Sequence, residues 1–312
     1  MSFTGHFYTL RGRLRRWPEP AGTVPWETVV EDPDLGPVRL SGRLNPEGED
    51  LVLLVHGLGG SAESRYMCYL AERATARGLA CLRLNLRGSD RQGEDFYHAG
   101  QSSDLDAVLA SEELASYRRI YLLGCSLGGH LALLWAARSA GSGSADPRVQ
   151  SVASLCSPVD LEASSGALLK PFLWPYRRYL MNSLMQIYRA VAERRPVPLP
   201  VAQAAGINNL VDWDDHIVAP RYGFDGAADY YRQSTVAPIL GDATVPILYV
   251  GAEDDPMVPA NTVQPALQRV GPTVESRWLP RGGHLGFDPH QDLALSASRG
   301  WADQVLDWLQ GR

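Results

Sequence analysis

Uninterrupted apolar runs bounded by turn residues recur along the chain, and their spacing predicts buried strands alternating with helices. Leu51-Val52-Leu53-Leu54-Val55 carries no polar interruption, as a parallel strand covered on both faces requires. A glycine-rich loop, His56 to Gly60, follows, then a helical pattern over 61–77 that Gly78 closes in the C′ position. The pattern repeats with a strand over 79–84, a polar loop over 85–103, a helix over 104–116, a strand over 120–124, a helix over 127–140 and a strand over 149–155. Three such repeats predict an α/β protein with a mostly parallel, doubly wound sheet. The alternation then breaks. Residues 158–243 are helical in pattern and rich in aromatics, as an insertion forming a helical cap or lid would be. It resumes with strands over 245–250 and 273–279, a helix near 261–270 and a last helix over about 292–309. Residues 1–48 read as an irregular lead-in with a short strand or two, ending at the turn Asn45-Pro46-Glu47-Gly48. The core is thus expected in 49–157 and 244–312, with the cap in 158–243.

Chemistry enters with Gly124-Cys125-Ser126-Leu127-Gly128, a G-x-S-x-G sequence between an apolar strand and a helix. In that context it predicts a nucleophile elbow, a tight turn that exposes the serine Oγ above the sheet. A serine hydroxyl is a weak nucleophile until a base takes its proton, and the base must be oriented by a carboxylate. Two later loops, each after a predicted strand, supply both. Glu253-Asp254-Asp255-Pro256 is acidic, and Gly282-Gly283-His284-Leu285-Gly286 carries a histidine with glycines on either side. The acid is ambiguous: counting G-x-x-D from Gly251 selects Asp254, and counting D-x-x-V-P back from Val258-Pro259 selects Asp255. An oxyanion needs two N–H donors, expected from the backbone of Leu127 and of Leu58 in His56-Gly57-Leu58-Gly59-Gly60. His56 is expected to brace that loop rather than to react.

Composition narrows the partners. With 29 Lys+Arg against 35 Asp+Glu the formal net charge is −6, which argues against nucleic acid. The basic run Arg11, Arg13, Arg15, Arg16 is a local exception, read as a solvated segment. No stretch reaches the 18 or so apolar residues of a membrane span. Arg15-Arg16 is followed by Trp17-Pro18-Glu19-Pro20 where a secretory signal would need an apolar region, so a cytoplasmic protein is expected. Four scattered cysteines, with no C-x-x-C pair, read as buried reduced thiols. No P-loop, dinucleotide-binding G-x-G-x-x-G or H-E-x-x-H is present, which sets aside kinase, dehydrogenase and zinc-protease readings.

Several segments together resemble the α/β-hydrolase superfamily, and within it the YheT-like branch of esterases and lipases. They are Gly5-His6-Phe7-Tyr8-Thr9-Leu10, His56-Gly57-Leu58-Gly59-Gly60-Ser61, Asn85-Leu86-Arg87-Gly88-Ser89, Tyr97-His98-Ala99-Gly100 with Asp104-Leu105, Gly223-Phe224 with Asp229-Tyr230-Tyr231, Asp254-Asp255-Pro256 and the histidine loop. The resemblance implies an α/β-hydrolase fold and hydrolysis of carboxylic esters, lipid-like or of medium chain, without metal or organic cofactor. The branch also breaks the tie in the acidic loop. There the position before the final Asp-Pro can be asparagine, so Asp255 is expected as the acid of a Ser126-Asp255-His284 triad. An H-x-x-x-x-D acyltransferase signature is not matched, since His98 precedes Asp104 by one residue too many and His284 precedes Asp288 by one too few. The competing reading of another class is a silent α/β-hydrolase fold that only binds a ligand or partner. Substrate, contact with a lipid surface and oligomeric state stay open at this point.

Overall fold

The computed structural model describes residues 3–14 and 17–312; for 12–14 it describes the backbone alone. Arg15 and Arg16 therefore lie outside the described residues, as does the Arg13 side chain, while Arg11 approaches Asp288 at 3.7 Å. In chain order the elements are α1 (Phe3–Leu14), β1 (Val24–Asp32), β2 (Gly36–Asn45), β3 (Asp50–Val55), α2 (Arg65–Thr75), β4 (Ala80–Asn85), α3 (Asp104–Leu109), β5 (Arg119–Cys125), α4 (Leu127–Ser142) and β6 (Val149–Leu155). Between β6 and the next strand lie α5 (Leu161–Leu168), α6 (Trp174–Ala192), α7 (Val201–Ala204), α8 (Leu210–Trp213), a π-helical turn (Asp214–Val218), α9 (Ala219–Tyr222) and α10 (Ala227–Ser234). The chain closes with β7 (Ile247–Ala252), α11 (Gln264–Leu267), β8 (Val274–Leu279) and α12 (Trp301–Gln310).

The eight strands form one sheet in the order β1-β2-β4-β3-β5-β6-β7-β8. It is parallel from β4 to β8, and antiparallel where β1 pairs with β2 and β2 with β4. The side-chain period of two divides each buried strand between two cores. Leu51, Leu53 and Val55 face a core shared with Leu131–Ala137 of α4. Val52 and Leu54 face the opposite core, with Met67 and Leu70 of α2 and Val305 and Leu309 of α12. No helix among the described residues is long and apolar enough to cross a membrane.

Several sequence expectations are corrected. The lead-in is not irregular: it holds the 12-residue α1 and two long strands, β1 of nine residues and β2 of ten. The helix expected over 104–116 ends at Leu109, and a short 3₁₀ turn, Glu112–Leu114, replaces its second half. The helix expected over 261–270 shrinks to a 3₁₀ turn, Ala260–Thr262, and the four-residue α11 at Pro265, as the missing proline N–H and the ring clash dictate. The last helix begins at Trp301 rather than near 292, because Gly300 at φ 90° breaks the helical backbone before it. The helix expected over 61–77 starts at Arg65, since Ser61 to Ser64 form a turn in which the Ser64 Oγ accepts the Ser61 N–H at 3.0 Å.

A buried charge cluster fastens the loop after β4. Arg87 donates two hydrogen bonds of 2.7 Å to Asp104, one of 2.6 Å to Asp32 and one of 3.0 Å to Asp95. Arg221 of α9 donates to Asp95 as well, tying the helical segment to the same loop. Burial raises the Asp32 carboxyl, but Arg87 and the N–H groups of Asp34 and Leu35 outweigh it and hold Asp32 down at about 2.

Candidate active site

Ser126 stands at the junction of β5 and α4 with φ 53° and ψ −122°, a backbone conformation unfavourable for a residue with a Cβ. The surrounding chain enforces it. Its N–H donates to Leu155 O at 2.8 Å, and the N–H groups of Gly129 and His130 donate to its carbonyl. The turn is tight because Gly128 lies against β3, where a Cβ would stand 2.2 Å from Val55 O. Strain of this kind is held by the rest of the fold and concentrates at functional sites.

His284 follows β8 in a loop closed by reciprocal bonds between Gly283 and Gly286, with Leu285 at φ 54°. Its amide donates to Thr9 Oγ1 at 2.8 Å, and that hydroxyl donates to Gly5 O at 2.8 Å. Helix α1 is thereby the floor of the histidine loop. A Cβ on Gly283 would stand 2.2 Å from Gly5 O, so only glycine permits the contact. The imidazole Nδ1 lies 2.9 Å from Asp255 Oδ2 and Nε2 lies 2.9 Å from Ser126 Oγ. An ionised carboxylate can only accept, so Nδ1 carries the proton and Nε2 offers its lone pair to the serine hydroxyl.

Of the two candidate acids, it is Asp255 that meets the histidine. A turn in which the Asp255 N–H donates to Ala252 O at 3.2 Å inserts the residue that defeats the count from Gly251. Asp255 Oδ1 accepts the N–H groups of Met257 and Val258 at 2.8 and 3.0 Å, which fixes the other oxygen toward the ring. Asp254 instead lies with its backbone against Gly5 of α1.

His56 is fully buried, and burial lowers its pKa to about 4. Its Nε2 accepts the Leu86 N–H at 3.1 Å, so the neutral ring is protonated at Nδ1 and donates to Gly57 O at 2.8 Å. The Gly60 N–H holds the same carbonyl at 3.0 Å. In a planar trans peptide the carbonyl and the next N–H point in opposite directions. Anchoring Gly57 O thus turns the Leu58 N–H the other way, and both it and the Leu127 N–H are without a protein acceptor among the described residues.

Ser126, His284, Leu58 and Leu127 all border one cavity of about 460 Å³. Its other walls come from α5, α6 and the loop Tyr97–Ala99, with Leu161, Leu168, Leu180 and Leu184 making them largely apolar. Tyr179 and Trp213 line it too, the latter also packed in the core, whereas Phe224 packs on His98 and Tyr230, and Tyr176 on His6. A metal is poorly suited here. Cys156, Asp255 and His284 offer donor atoms within 4.8 Å of one another, but Asp255 and His284 are bonded to each other. Burial, then Asp255, raises the Cys156 thiol well above its ordinary value, so the thiolate that binds metals is disfavoured. Sequence reasoning missed Thr9 and Arg87 as supports; Gly5–Thr9 and Arg87 stand in segments that resembled the family, and that was their only signal.

Sheet, elbow and histidine loop define an α/β hydrolase. The model of the Alpha/beta hydrolase family matches residues 52–297, and the chain belongs to that family. It is 30% identical to "Putative esterase YheT" of Escherichia coli (strain K12), over 97% of this chain and 89% of that one. It is also 23% identical to human "Phospholipase ABHD3" and 24% identical to the "Medium-chain fatty acid ethyl ester synthase/esterase 2" of Saccharomyces cerevisiae, in both cases over 76% of this chain and 58% of the relative. Among solved structures, the Pyrococcus furiosus esterase Pf2001 superposes with a TM-score of 0.58 at 16% identity, covering 95% of this chain and 97% of that one, a likeness of fold. Relatives named as esterases support a hydrolase activity.

Proposed function

We propose that the protein is a serine hydrolase that cleaves carboxylic esters through an acyl-enzyme. The observation carrying this reading is the pair of 2.9 Å contacts that joins Ser126 Oγ to His284 and His284 to Asp255 on the wall of a cavity. His284 Nε2 takes the hydroxyl proton as Ser126 Oγ bonds to the ester carbonyl carbon, and Asp255 stabilises the imidazolium. The N–H groups of Leu58 and Leu127 receive the oxyanion. Collapse of the tetrahedral intermediate breaks the C–O bond, and the imidazolium returns its proton to the leaving alcohol. Water then repeats the cycle on the acyl-enzyme and releases the acid. Because only the neutral imidazole accepts the proton, turnover falls on the acid side.

Residues 158–243 act in this reading as a cap over the site. The apolar cavity suits a medium-chain or lipid-like ester. So do the exposed Phe3 and Phe7 of α1, Phe172 in the turn before α6 and Trp174 at the start of α6, two helices joined by the His6–Tyr176 contact. The four free, buried cysteines fit a cytoplasmic setting. A fluorophosphonate probe should label the wild type once and leave Ser126→Ala unlabelled. Equal labelling of both, or none of a folded wild type, would overturn the assignment and favour the silent fold.

His56 gives a second expectation. In His56→Ala the Gly57 carbonyl loses a donor and the Leu58 N–H loses its aim, whereas the triad is untouched. Removing one oxyanion donor outright costs about 10²–10³-fold in kcat. Misaiming one should cost about tenfold to hundredfold in kcat with little change in KM, read by steady-state kinetics on p-nitrophenyl butyrate.

A further inference from the structure

One wall of the cavity is polar where its surroundings are not. Asp214 opens the π-helical turn and lines the cavity beside Trp213, Tyr230 and Tyr231; irregular turns of this kind recur at functional sites. Its Oδ2 accepts a hydrogen bond of 2.6 Å from the Tyr231 hydroxyl. No cation pairs with it among the described residues: the nearby His216 approaches Asp215, at 3.7 Å, and Asp215 is further used in accepting the Ala227 N–H. Burial without a compensating charge pushes Asp214 up to about 7, against the Tyr231 bond that pulls it down.

A second observation comes from α5. Ser164 lines the same cavity, is 6% exposed, and its buried Oγ has no hydrogen-bond partner among the described residues. Buried polar groups are almost always satisfied, so the orphan Ser164 hydroxyl needs an explanation, and a half-buried carboxyl that no cation pairs with stands on the same cavity. Leucine at either position would fill an apolar acyl pocket without that cost. The chemistry on offer is specific. Tyr231 spends its proton on Asp214, and Ser165 hydrogen-bonds the Tyr231 oxygen. What remains is the second carboxyl oxygen of Asp214, an acceptor once the carboxyl ionises above about pH 7, and the Ser164 hydroxyl.

We propose that Asp214, held by Tyr231 and assisted by Ser164, is a specificity-determining subsite that binds a hydrogen-bond donor on the substrate, a hydroxyl or a protonated amine carried away from the scissile carbonyl. The inference rests on the esterase reading for its substrate, though the subsite itself is a property of the cavity. A hydroxyl would donate to Asp214 and exchange a bond with Ser164. An ammonium would add charge pairing and the faces of Trp213 and Tyr230.

The test compares methyl esters of straight acids of six to ten carbons with their ω-hydroxy and ω-amino counterparts, and alkyl acetates with ω-hydroxyalkyl acetates, which place the donor on the alcohol side. Within each protein the readout is the ratio of kcat/KM between substituted and plain ester, so a general loss of activity cancels. A hydrogen bond to a charged buried group corresponds to about tenfold to hundredfold. Asp214→Leu should lower the best ratio by that factor. Asp214→Asn should lower the amino ratio as much and spare the hydroxyl ratio if the donor is a hydroxyl. Ser164→Ala, which removes only an orphan atom and should fold at least as well, should lower the hydroxyl ratio several-fold. Ratios unchanged within twofold in all three variants overturn the proposal. Calorimetric titration of the same esters into Ser126→Ala reads the ratios without turnover. Ratios that persist there while the wild type hydrolyses nothing would sink the esterase reading alone, and ratios absent there would sink the subsite.

Discussion

Asp255→Asn should lower kcat by about 10⁴-fold, and Asp254→Asn by no more than a few-fold, measured on the same p-nitrophenyl ester. The asymmetry follows from how the carboxyl is pinned. Its Oδ1 accepts two backbone N–H groups, from Met257 and Val258, and an asparagine must keep its oxygen there. The amide NH₂ then faces His284 Nδ1, where Oδ2 stood at 2.9 Å. Two donors cannot face each other, so the ring moves its proton to Nε2 and can no longer accept from Ser126. A misplaced tautomer, with geometry intact, costs a triad enzyme about 10⁴ in turnover. The Asp254 carboxylate does not bond His284 and has no such lever. The reverse ranking would make Asp254 the orienting acid.

Acid should destabilise the fold steeply well before the ordinary carboxylates titrate. Burial holds His56 and His130 at about 4 and, with nearby arginines adding to it, His98 at about 3. All three are neutral in the native state, whereas an unfolded histidine protonates near 6.5. Between roughly pH 6.5 and 4 the unfolded chain therefore binds about three protons that the native chain refuses. Asp214 works in the opposite sense: at about 7 it is protonated in the native state across the same window and ionised in the unfolded one. The net difference is about two protons, so stability falls as pH falls, by about 3 kcal/mol per pH unit near pH 5. Against a typical total of about 5–15 kcal/mol that is enough to unfold the protein within a few units. Urea midpoints at pH 7, 6 and 5 would measure the slope, and a flat profile would contradict it. His130→Asn should roughly halve the slope.

How much of this was written in the sequence depends on what carries each feature. The continuous run Leu51–Val55 and the frame around Ser126 are local signals, because burial on both faces and the tight turn each dictate residue types over a few positions. The choice between Asp254 and Asp255 was not local. It turns on a backbone bond to Ala252 that adds one residue to the loop, which defeats the count from Gly251 and leaves the count back from Val258-Pro259 intact. Helix α1 was invisible for a related reason: with glycines at 5 and 12 its intrinsic propensity is poor, and it is held by contacts with a loop some 275 residues away. Asp214 and Asp215 are adjacent acids that nothing in the sequence tells apart, and it is the packing of α5 and α10 around the cavity that separates the pair.

The seating of His284 on Thr9, 275 residues earlier, also orders the assembly of the site in time. On a chain made from its N-terminus, the elbow's backbone partners are complete once β6 has joined β5, since Ser126 bonds Leu155. The seat of the imidazole closes only when α1 meets the loop beyond β8. Until then, on the proposed mechanism, the growing polypeptide carries the serine without the histidine that would activate it. On that mechanism the chain would therefore stay unreactive toward esters until that contact forms, late in its synthesis.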